Sequence, residues 1–287
     1  MRLAFALLLC CVWLERARCG SPATTTVANR SPVAATTTVA KRRNEQRVSL
    51  ATAMVTRRPF STQRDTPVKT ALLASNTIAF FALLKSPAAF NALAKNNAMI
   101  RRGGVHRMVT SCMLHGSIPH LYLNMMSLNN LGNAVEPWFG SRRMAFIYVA
   151  SGISGNALSL ALNRAPLSVG ASGCIFGLLG AYMAFLDHNR AFFSARGRQV
   201  GYSIRSMLDT CVLTAAVGLM PGSRIDNLGH LGGLTCGWVC GYMVGPKLVP
   251  SKTGPFIVDK PLVQLPPLLG GGPPAQKKRQ QQRLGVR

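Results

Sequence analysis

The chain has 287 residues, of which 48% are hydrophobic and only 14% charged, whereas soluble domains carry about 25% charge. With 27 Gly and a mean hydropathy of +0.20, this excludes an ordinary soluble core and points to lipid as the solvent. The net charge of +25 would suit nucleic acid on a soluble chain. Here the basic residues cluster outside the apolar runs, as in Lys41-Arg42-Arg43, Arg142-Arg143 and Lys277-Lys278-Arg279, and no nucleic-acid-reading motif is present. The charge therefore reads as a topology signal, a targeting signal and a means of contact with anionic lipid.

In chain order, residues 1–20 give a basic start, a short apolar run from Leu3 to Leu14 and small residues, which is a signal-peptide pattern. Residues 21–66 turn rich in Thr, Ser, Ala and Arg, with acid only at Glu45 and Asp65, which is transit-peptide composition. Together they form the two-part address of a protein bound for a plastid of secondary origin. A mitochondrial inner-membrane presequence is the alternative, and a signal anchor followed by disorder a third reading. A membrane domain is expected over 67–248, with six apolar spans near 70–84, 118–138, 143–162, 171–187, 203–220 and 227–245. Several fall near or below the roughly 20 residues that cross a bilayer. Between the first two lies 85–117, too apolar for a solvated loop and marked by Arg101, Arg102 and Arg107; an interfacial or partly embedded segment is expected there. Residues 249–287, with Gly270-Gly271-Gly272-Pro273-Pro274 and Lys/Gln/Arg runs, read as a disordered basic tail.

Three motifs carry chemistry. Gly170-Ala171-Ser172-Gly173 opens the fourth span; a serine there has backbone room around its hydroxyl and an unpaired amide. Gly173 and Gly177 equally suit a small-residue helix contact. In the sixth span, His230 follows Asp226-Asn227-Leu228-Gly229, and an ionisable residue inside an apolar span is a functional candidate by default. Gly229, Gly233, Gly237 and Gly241 recur every four residues and share one face. If that bare face meets Gly173 and Gly177, Ser172 and His230 come within reach, as a weak hydroxyl nucleophile requires. Third, His120 and Asn124 are four apart in His115-Gly116-Ser117-Ile118-Pro119-His120-Leu121-Tyr122-Leu123-Asn124. Both can donate to an oxyanion, or simply tie helices together. Arg205 and Asp209, one turn apart on the fifth span, are expected to pair. Neither a metal nor an organic cofactor is implied: the eight Cys make no CxxC pair, and no His or acid joins Cys236 and Cys240.

In this order, His115, His120, Asn124, Gly170-Ala171-Ser172-Gly173 and Gly229-His230 with Gly233 and Gly237 resemble the rhomboid family of intramembrane serine proteases. Arg107 upstream and Glu136 after the second span agree. Tyr122-to-Gly132, Ala165-to-Gly173 and Gly218-to-Gly233 look most like plant plastid rhomboids. The resemblance implies an all-α fold, a polytopic six-transmembrane-helix bundle that cleaves transmembrane protein substrates within the bilayer and needs no nucleic acid. It implies Ser172 as nucleophile and His230 as base, in a dyad that needs no carboxylate from Asp226. It implies an oxyanion hole of His120, Asn124 and the Ser172 amide, and a substrate-facing wall at Gly170. Two departures stand out. The family's Trp-Arg pair is His106-Arg107 here, which leaves the seating of the first loop open. The aromatic that stacks on the base is Phe176 in place of Tyr. A catalytically inactive relative that binds membrane clients is the rival reading, although such relatives usually lose the Ser or the His and both are present here. The sequence leaves the oligomeric state unknown.

Overall fold

The computed structural model describes residues 66–162, 165–195, 197–250 and 257–265. The signal-like and transit-like segments and the Lys277-to-Arg279 cluster lie outside these residues. Six long helices stand where the six apolar spans are predicted: α1 (Pro67–Leu83), α5 (Ile118–Phe139), α6 (Ser141–Ala161), α7 (Ser172–His188), α9 (Val200–Gly218) and α10 (Asn227–Met243). The segment between the first two folds into short pieces: α2 (Pro87–Leu93), β1 (Lys95–Asn96), α3 (Asn97–Arg101), α4 (Arg107–Thr110) and a 3₁₀ turn at Ser111–Met113. β2 (Leu167–Ser168) pairs antiparallel with β1, and α8 (Arg190–Ser194) follows α7. Among the described residues, α6 is the one helix both long and apolar enough to cross a membrane by length and composition alone. Of the others, α1, α7 and α10 have 17 residues each, and α5 and α9 carry polar or charged residues along their length. A 17-residue helix such as α7 reaches about 25 Å at 1.5 Å per residue.

Local chemistry sets the boundaries. Prolines occupy the first turns of α1, α2 and α5, where their missing N–H costs nothing. The Ser117 hydroxyl accepts from the His120 amide at 3.3 Å and caps α5. At the far end of α5, Pro137 and Gly140, the latter at φ 76°, separate it from α6 by a single residue.

A nearly unbroken apolar sequence buries α7 at the centre, where eleven of its residues from Cys174 to Leu186 are buried. It packs against α10 and α6 almost backbone to backbone. A methyl group on Gly233 or Gly237 would run into the carbonyls of Gly173 and Gly177, and one on Gly241 would lie 2.6 Å from the Ala181 Cα. On the other side of α10, a methyl on Gly232 would lie 3.0 Å from the Gly155 Cα of α6. Stripped of side chains, these faces let three helices meet where larger residues would hold them apart.

Glu136 is buried at 3% exposure. Its carboxylate accepts from the Val68 amide at 3.0 Å, the Lys69 amide at 2.9 Å and the Ser141 hydroxyl at 2.7 Å. It thus satisfies the first-turn amides of α1 and ties α1, α5 and α6 together. Glu136→Ala is expected to cost about 2–3 kcal/mol, read as a lower unfolding midpoint in detergent. An unchanged midpoint would mean that those amides find other acceptors.

Two expectations are corrected. Arg205 and Asp209 form no ion pair, and both are exposed on α9; an exposed one-turn pair is worth only about 0.2–0.5 kcal/mol, too little to dictate the rotamers. The tail read as disordered from residue 249 begins with structure: β3 (Leu248–Pro250) pairs antiparallel with β4 (Ile257–Asp259). This hairpin is anchored by the Leu248 amide on the Asn189 side chain at 2.7 Å and by an Arg143–Asp259 ion pair.

Candidate active site

Ser172 is the first residue of α7, and His230 lies in the first turn of α10. The glycine contacts draw these two helix ends together, and Ser172 Oγ lies 2.8 Å from His230 Nε2. For the hydroxyl to donate, Nε2 must be the unprotonated nitrogen, with the proton on Nδ1. That Nδ1 is buried and has no hydrogen-bond partner. What orients the ring is packing: Phe176, one turn along α7, stacks on the imidazole at 4.3 Å between centroids and 7° between planes. The Asp226 carboxylate is turned elsewhere, to the Gly229 amide at 2.9 Å and the Ser159 hydroxyl at 2.6 Å.

His120 and Asn124 sit on α5. Gly170 adopts φ 136°, and a methyl group there would lie 2.8 Å from His120 Nε2 and 3.8 Å from Ser172 Oγ. The bare Gly170 backbone therefore lets the His120 ring and the serine hydroxyl converge on one wall. Asn124 is buried at 7% exposure, and its amide donates back to the His120 carbonyl at 2.8 Å, leaving a second N–H on the same nitrogen. His115 does not reach Ser172. It packs behind His120, ring edge to face at 5.1 Å, with no hydrogen-bond partner at either nitrogen. Burial first, then the neighbouring His120, hold His115 down to about 4, so it is a neutral ring near pH 7.

The first loop is braced internally, one end of it against the other. Arg107 Nη1 donates to the Asn91 carbonyl at 2.6 Å and the Ala94 carbonyl at 2.7 Å. His106 meets the Ala92 carbonyl at 3.3 Å. Beside the site is an apolar cavity of about 430 Å³, with Phe80, Leu83, Phe90, Leu114, His115 and Ile118 among its lining residues. Among the described residues no cluster of three or more His, Cys, Asp or Glu could hold a metal ion.

Sequence reasoning missed Lys95 and Ser159. Lys95 is wholly buried, and its ammonium donates to the Ser159 hydroxyl at 2.8 Å. A lone lysine in the otherwise uncharged run from Pro87 to Ile100, with an acid one turn before His230, was the available signal.

A family model described as a rhomboid domain matches residues 102–247. The chain is 35% identical over 145 residues to RHOMBOID-like protein 1 of Arabidopsis thaliana, covering 50% of this chain and 36% of that protein. It is 39% identical over 155 residues to Rhomboid protease GluP of Bacillus subtilis, covering 54% and 29%. Against Rhomboid-like protease 3 of Toxoplasma gondii the figures are 33% over 139 residues, 47% and 51%. The chain thus spans about a third to a half of the length of these relatives. The match takes in every helix from α5 to α10 and accounts for just over half of the chain, so this polytopic helical membrane protein belongs to the rhomboid family.

Proposed function

We propose that the chain is an intramembrane serine protease that cleaves a peptide bond in or near the transmembrane segments of other membrane proteins. The observation that carries this reading is the 2.8 Å contact between Ser172 Oγ and His230 Nε2, set beside convergent donors in a family whose members include proteases. Ser172 attacks the scissile carbonyl while His230 takes its proton and returns it to the leaving amine. The Ser172 amide at the start of α7, His120 and the second N–H of Asn124 stabilise the oxyanion; each such donor is worth about 3–4 kcal/mol of barrier. Water then releases the acyl group by the same base. A carbonyl inside an intact helix is shielded by its own hydrogen bonds, so substrates with small, helix-weakening residues near the cut are favoured. The apolar cavity beside His115 suits an apolar substrate side chain. The setting is a membrane, and the composition of residues 1–66 supports a plastid.

The test is cleavage of a single-pass transmembrane substrate by the purified full chain in detergent. Wild type is expected to cut and Ser172→Ala to be silent. Cleavage that survives Ser172→Ala, or none by wild type across a panel of such substrates, would sink the reading.

A further inference from the structure

The side chain of Lys95 is 0% exposed and lies 3.7 Å from Asp226 Oδ2, itself 13% exposed. Its ammonium also donates to the Ser159 hydroxyl at 2.8 Å and to the Ala165 carbonyl at 2.9 Å. Burying an ammonium costs several kcal/mol even when it is paired, and replacing a buried ion pair by apolar residues is often neutral or stabilising. Stability alone therefore gives no reason for a lysine here. Burial pulls the Lys95 ammonium below the ordinary lysine value, and the Asp226 charge opposes that pull.

The partners of Lys95 show what it joins. Ala165 stands in the loop that leads to the serine, and it alone among the described non-glycine residues has positive φ, at 43°. Lys95 holds its carbonyl, and β1 pairs with β2 in the same loop, with Lys95 opposite Ser168. Two residues past β2, the Gly170 amide is bonded to the Ser111 carbonyl at 3.0 Å, and Ser172 follows. On the other side, Asp226 caps α10 through the Gly229 amide at 2.9 Å, and its own carbonyl accepts from the His230 amide at 3.0 Å. The Ser159 hydroxyl bridges lysine and aspartate, 2.8 Å from Lys95 Nζ and 2.6 Å from Asp226 Oδ2. One ammonium thus touches both the approach to the nucleophile and the cap of the helix that carries the base.

We propose that Lys95, acting through Asp226 and Ser159, is a positioning residue that keeps Ser172 and His230 in register by clamping the loop before α7 to the first turn of α10. The proposal rests on the protease reading of the same dyad. Lys95 touches neither reacting atom; it acts on geometry, and a displacement of about 1 Å in a catalytic group can cost on the order of a hundredfold in rate.

The experiment uses the full chain in detergent and two readouts. One is the rate at which a fluorophosphonate probe labels Ser172, which needs no knowledge of the substrate. The other is kcat and KM on a transmembrane substrate. Lys95→Met is expected to lower the labelling rate and kcat together by about ten- to a hundredfold, with KM within about twofold. Asp226→Asn is expected to do the same, and the double variant to be no worse than either, because coupled residues are non-additive. If Lys95→Met does not fold, Ser159→Ala, which removes only the bridging hydroxyl, decides: a several-fold drop in labelling supports the clamp. Labelling of the folded fraction at the wild-type rate in these variants, or additive losses in the double variant, would overturn it and leave the protease reading intact. Wild-type protein that the probe does not label would overturn both.

Discussion

His230→Ala is expected to lower substrate cleavage as far as Ser172→Ala does, by about 10⁴-fold or more, and the double replacement to lower it no further. The two side chains act as one unit across the 2.8 Å contact, so losing either leaves a hydroxyl that is not activated or a base with nothing to deprotonate. Among the described residues the nearby acid does not substitute, since the Asp226 carboxylate is occupied by the Gly229 amide and the Ser159 hydroxyl. Steady-state cleavage by the four proteins at equal folded concentration measures it. Losses that multiply in the double variant, or a His230→Ala protein within tenfold of wild type, would mean that the base is another group.

Gly237→Ala is expected to destabilise the bundle by about 3 kcal/mol or more, the upper end of overpacking costs, and to abolish activity with it. In an open helix the same change would stabilise by up to about 1 kcal/mol. Here the added methyl would overlap the Gly177 carbonyl, which belongs to a backbone that no rotamer change can move. α7 and α10 would have to part, and the serine and the imidazole hang on the near ends of those two helices. Gly201→Ala is the control: nothing lies within 4 Å of its added methyl, and the unfolding midpoint is expected to hold or rise. Equal midpoints for the two variants would refute backbone contact along this seam.

The six helices were legible because each is an apolar run closed by Pro, Gly or charge, and their observed ends fall within about three residues of the predicted ones. The approach of Ser172 to His230 was legible for a related reason, since glycine spacing marks close helix contact, whereas the Phe176 stack was expected only from the resemblance to the rhomboid family. What stayed hidden depends on partners distant along the chain. Lys95 meets Asp226 across 131 positions, and Glu136 reaches back 67 and 68 residues to the amides of α1; no periodicity encodes such pairs. The expected Arg205–Asp209 pair failed in the opposite way. Its spacing was right, but on an exposed face spacing does not fix where two long side chains point. His115 is an intermediate case, since its motif was visible while its place behind His120, away from the hydroxyl, was not.

The stacked Phe176 bears on how such a site can exist in lipid at all. In an aqueous hydrolase an acid commonly steadies the imidazole, and water shares the burden of that charge. Inside a membrane an anion with no counter-ion is costly. A flat hydrocarbon ring supplies the same steadiness through dispersion and shape, at no electrostatic expense. On the proposed reading, the imidazole keeps its aim through Phe176, with no third charged member needed to steady it.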